Sequence, residues 1–79
     1  MSTTTVAQSA FDKCMSVTPA ARREELAAVF SGAGITISGG STVTGVSSDD
    51  ALTNLVSELK SVMPTAAMTV KREIHAAGL

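Results

Sequence analysis

Residues 47–63, SSDDALTNLVSELKSVM, constrain the fold more than any other stretch of the chain. Leu52, Leu55, Val56, Leu59, Val62 and Met63 recur at i, i+3, i+4, i+7, i+10 and i+11, which gathers them on one side of a helix. Asn54, Glu58, Lys60 and Ser61 fall elsewhere on its circumference. Ser47 or Ser48 is placed to cap the first amides, and Asp49 and Asp50 stand where the helix dipole favours negative charge. So regular an apolar stripe needs a cover, either the rest of this chain or a second copy of it. The stripe itself carries no chemistry.

Size and composition bound the supply of cover. The 79 residues make one small domain, residues 1–79. A chain of that length buries only about 60% of the surface it exposes when unfolded. With two Phe and no Trp or Tyr, the core has to come from Leu, Val, Ile, Met and Ala, which remove less area from water than aromatic rings do. Cys14 is the single cysteine, so no disulfide can staple the chain internally. A hydrophobic fraction of 44% is nevertheless normal for a folded protein. These features predict a helical fold closed by its own elements or by a partner subunit.

Glycines and prolines divide the rest. Residues 1–4 read as a frayed polar start. Over residues 5–16, Val6, Ala7, Ala10, Phe11, Cys14 and Met15 repeat at helical spacing. Thr18 then reads as an N-cap and Pro19 as the first position of a second helix over residues 19–30, with Leu26, Val29 and Phe30 inward. Arg22 and Glu25, one turn apart, are spaced for an exposed ion pair. Gly32 or Gly34 supplies the left-handed stop.

Residues 35–46 change to an alternating period, with Ile35 and Ile37 on one face and Thr36 and Ser38 on the other. Ser38-Gly39-Gly40-Ser41 predicts a hairpin turn, the alternative being a plain Gly-rich loop. A two-residue loop would leave Val43 on the face opposite both isoleucines, whereas an odd loop brings Val43 across from one of them. The odd loop is therefore the expectation. Such a hairpin is marginal alone and must lie on the helices or pair with another chain. Pro64 separates the stripe helix from a last helix over residues 65–77, with Ala67, Val70, Ile74 and Ala77 as its seam and Gly78 as its stop. The expected fold is α+β: a small, mainly helical domain of about four short helices with a central β-hairpin, in the order α-α-β-β-α-α.

Most chemistry lacks its residues. Cys14 and His75 are the one conceivable nucleophile–base pair, but Cys14 falls within an apolar stripe, where a cysteine behaves as a small hydrophobe. Asp49 and Asp50 lack the alternating oxygen ligands of a calcium loop, and one Cys with one His cannot fill a zinc shell within one chain. The glycines of residues 32–40 are followed by no GK[ST] element and read as caps and turns, not a phosphate cradle. No cofactor or metal is expected, and an enzyme is the least favoured class.

Arg22, Arg23, Lys71 and Arg72 are the candidate basic patch, with His75 beside the last two. A net charge of −1 and the lack of aromatic interleaving favour a solvated face over a nucleic-acid contact. No stretch is long and apolar enough for a transmembrane helix, and residues 1–11 lack the pattern of a signal peptide, so the expectation is cytoplasmic, in a host cell or a virion. The element order does not match a winged helix, whose hairpin follows its recognition helix. About half the residues are Ala, Gly, Ser or Thr, a bias that suits a phage-encoded or accessory protein better than a housekeeping enzyme.

The resulting expectation is a non-enzymatic protein that binds itself or another protein. Leu52, Leu55, Leu59 and Val62 are expected to form the core and part of a homo-oligomer interface. Two alternatives accompany it: an inhibitor or sequestering protein that acts on a host defence factor through its loops, and a small nucleic-acid-associated regulator.

Overall fold

Ser2 sets the start of the first helix, its Oγ accepting the Thr5 amide at 3.1 Å and sharing a 2.8 Å hydrogen bond with Thr5 Oγ1. The computed structural model describes residues 2–79 and places α1 at Thr3–Val17. Residues 2–4 are therefore not frayed, contrary to expectation, because the Ser2 cap satisfies an amide that a helix start otherwise leaves open. Residue 1 lies outside the described residues. Val6, Ala7, Ala10, Phe11 and Cys14 form the inward face of α1.

The break at Thr18-Pro19 falls where expected, but its chemistry differs. Thr18 Oγ1 donates backward to the Cys14 carbonyl at 2.7 Å, finishing α1 instead of capping the next helix. Pro19 then leads a single 3₁₀ turn, Ala20–Arg22, so α2 begins only at Arg23 and runs Arg23–Gly32. Its buried Phe30 meets Phe11 edge-on, with centroids 5.0 Å apart and planes at 80°. Gly34 ends the helical region at φ +96°, and a β-carbon there would collide with Ser47 Oγ. The Gly34 carbonyl also accepts the Ser47 amide at 2.8 Å, which ties the two ends of the hairpin together.

Strands β1 (Ile35–Ser38) and β2 (Thr42–Val46) pair antiparallel across the three-residue loop Gly39-Gly40-Ser41. Ile37 faces Val43, as the odd loop requires, and a register shift after Thr36 restores Ile35 opposite Val46. Ile35 and Val43 lie in the core, and the bulge brings Val46 to the same face, where it packs with Ile37 at the margin. The hairpin lies on α1 and α2. Gln8 of α1 fastens it: Oε1 accepts the Val43 amide at 2.7 Å, while Nε2 donates to the Ser41 carbonyl at 3.0 Å and to Asp12 Oδ1 at 2.9 Å.

Helix α3 covers Ala51–Val62, a later start than the sequence suggests. Asp50 is its N-cap but already has helical angles, φ −84° and ψ −6°, and its side chain makes no cap bond. Capping side chains work from extended angles. The Ala51 amide instead donates to the Ser48 carbonyl at 3.2 Å. Leu52, Leu55, Leu59 and the following Met63 point into the core, with Val56 at its margin. Met63 leaves helical angles before Pro64, and Pro64 opens α4 at Pro64–Ala76. Helix α4 packs on both α3 and α1 through Ala66, Ala67 and Val70, flanked by Ile74 and Ala77. The architecture is thus α+β and mainly helical, in the order α-α-β-β-α-α. No described helix is long and apolar enough to cross a membrane.

Candidate functional site

Helix α4 sorts its side chains by angle. Once Ala66, Ala67, Val70 and Ile74 face inward, helical geometry turns Met68, Lys71, Arg72 and His75 outward at i, i+3, i+4 and i+7. Met68 is 57% exposed and Leu79 56%. The end of the helix fixes Leu79 in place: Gly78, at φ +74°, donates to the His75 carbonyl and Leu79 donates to the Ile74 carbonyl, each at 3.1 Å. Those two bonds make a Schellman stop.

Met68 stands between two shallow depressions. One is bounded by Lys71, Arg72, His75 and Ala76. The other runs along the groove between α3 and α4, past Val56, Lys60, Ala67 and Lys71. No carboxylate lines either of them. Among the described residues the ion pairs are Lys13–Glu73 and Arg22–Glu25, each at 2.8 Å, so Lys60, Lys71 and Arg72 keep their charge unpaired beside an exposed apolar side chain.

The inner edge of α4 is its electrostatic opposite. Glu73 receives Lys13 Nζ at 2.8 Å and Ser9 Oγ at 2.5 Å, joining the last helix to the first. The Lys13 hydrogen bond, then that of Ser9, holds the Glu73 carboxyl below the usual carboxylate range. Nearby, burial and secondarily the charge of Glu73 push the Cys14 thiol up to about 12. Its Sγ lies 3.6 Å from the Ala66 carbonyl.

The sequence-derived candidates are dispersed by this arrangement. Cys14 is fully buried in the core while His75 is exposed on the outer face of α4, so no nucleophile–base pair forms. Asp49 and Asp50 are exposed in the turn before α3, and no group of three or more potential metal-binding side chains occurs among the described residues. Leu52, Leu55 and Leu59 are covered by the chain itself at 3%, 0% and 0% exposure, so they have no area to give a second copy. Val62, at 37%, is the one of the four with surface to offer.

The basic patch divides. Arg22 is bound to Glu25 and to the Val62 carbonyl at 3.2 Å, in a cleft by the start of α4, and Arg23 Nε donates to the Thr18 carbonyl at 3.3 Å. Lys71 and Arg72 remain on the outer face, joined there by Lys60 from α3. Sequence reasoning passed over Met68 and Lys60. The signal for Met68 was present, since the spacing that reveals an inner stripe also groups Met68 with Lys71, Arg72 and His75. Lys60 joins them only through the packing of α3 on α4. Comparison with known protein families, with curated proteins and with solved structures finds no match to this chain.

Proposed function

We propose that this chain is a small non-enzymatic accessory protein that works by binding another protein, with the outer face of α4 as its docking surface. The observation that supports this reading is Met68, largely exposed and ringed by Lys60, Lys71, Arg72 and His75. Interfaces have that anatomy: an apolar centre, in which methionine is enriched, inside a polar rim. An inhibitor that occupies a host protein is one form of the same function. Self-assembly would draw on the apolar side chains left exposed, Val17, Val62, Met68 and Leu79, because the leucine stripe is already covered.

A photo-reactive residue placed at position 68, with a control at the exposed Glu24 of α2, tests the reading in the cells that make the protein. The expected result is one discrete heavier adduct from position 68 and none from position 24. Equal labelling from both sites, or none from either, overturns it. An adduct of twice the chain's mass assigns the face to a second copy instead.

A further inference from the structure

Resting on that reading, we infer that the partner element seated on α4 is an acidic amphipathic helix, with an apolar stripe against Met68 and carboxylates on both flanks. Charge complementarity carries the inference. Lys71 borders the α3 side of the Met68 ridge together with Lys60, and Arg72 borders the other side. A helix lying along the ridge therefore meets cations on either hand and an apolar centre between them. The ridge from Met68 to His75 spans about 10 Å at the rise of an α-helix, room for roughly two turns of a partner.

Other occupants fit less well. A nucleic-acid strand would find no stacking surface, because both phenylalanines, Phe11 and Phe30, are buried in the core. Three permanent cations also fall short of the roughly six to ten phosphate contacts that such binding uses. A membrane surface asks for a broad apolar helix face, and α4 turns that face inward, leaving Met68 and Leu79 outside. A second copy docking through Val62 offers a poor complement. Next to the exposed Val62, Glu25 is neutralised by Arg22, which leaves only Glu58 one turn earlier.

The test uses the ¹⁵N-labelled chain and three synthetic helical peptides of about 14 residues, near 0.15 M salt. The first has a leucine stripe flanked by glutamates, the second the same stripe flanked by lysines, and the third scrambles the first so that no stripe forms. The glutamate peptide is expected to saturate with shifts at Met68, Lys71, Arg72 and His75, and to bind at least about tenfold more tightly than the other two. Lys71→Glu with Arg72→Glu should weaken it by about tenfold or more and make the lysine peptide the better ligand, with the circular dichroism of the chain unchanged. Equal binding of the scrambled peptide reduces the effect to bulk charge and overturns the inference. So does tighter binding of a short DNA duplex or an anionic vesicle through the same residues, or concentration-dependent shifts there without any peptide. If the adduct at position 68 persists in the doubly reversed variant, the protein-binding reading stands and the acidic partner does not.

Discussion

Helices α3 and α4 are packed neighbours joined at Pro64, yet α3 encloses its leucines while α4 leaves its one methionine exposed. α3 turns Leu52, Leu55 and Leu59 into the core, whereas α4 buries Ala66, Ala67 and Val70 and holds Met68 in water. Small residues on the α4 seam allow close approach to both α1 and α3. The comparison teaches that angle, not hydrophobicity, decides burial here. An alanine at the right angle is enclosed and a methionine at the wrong one is not. Core stability explains the leucines of α3 but gives no reason for a methionine at position 68.

The largest effect should come from the closed side. Leu59→Ala removes a fully buried side chain and is expected to cost about 2–5 kcal/mol in urea denaturation. A loss within the range of surface substitutions would mean that the stripe is not the core. Next comes the turn that sets the approach to α3. Gly34→Ala forces a β-carbon into the left-handed region and against Ser47 Oγ, at a cost of about 1–3 kcal/mol. Adding Ser47→Gly should recover the part due to collision and leave the part due to φ, a split that denaturation of the double variant reads directly.

The inner edge of α4 gives a smaller, pH-dependent effect. Because the Glu73 carboxyl is held below its ordinary value of 4.5, its contribution to stability is present above that pH and is lost as pH falls through the lowered value. Wild type and Glu73→Gln should therefore differ in urea midpoint at pH 7 and converge only once pH has fallen below the lowered value. A gap that persists in acid would show that Ser9 and Lys13 do not act through the charge. The smallest effect belongs to the open side: Met68→Ala should shift stability by no more than about 0.5 kcal/mol. A loss comparable to that of Leu59→Ala would erase the contrast between the two helices.

Where side-chain periodicity governs the fold, the sequence is readable. The helical stripes, the hairpin with its odd loop and the stop at Pro64 all follow from which residues must share a face. Capping was less readable because Ser, Thr and Asp have several competing partners. Thr18 bonds backward to Cys14, and the Asp50 side chain caps nothing. Contacts between distant elements were not readable at all. Glu73 with Ser9, Gln8 with Val43, and Lys60 beside Met68 depend on how helices cross, which no local pattern encodes. The candidate site was half visible for the same reason: Lys71 and Arg72 stood out as cations, while the residues that make them a surface come from packing.

Gln8 has one more consequence, for how the molecule ages. A neutral amide is the one arrangement that can accept from Val43 while donating to both Ser41 and Asp12. Hydrolysis of that amide to a carboxylate would keep the acceptor and replace the donor with a second oxygen, facing a carbonyl at 3.0 Å and a carboxylate at 2.9 Å. Like groups would then repel across the seam between α1 and β2. The hairpin is thus held by two kinds of fastening, one chemically perishable and the other, through Ile35 and Val43, of hydrocarbon that water does not hydrolyse.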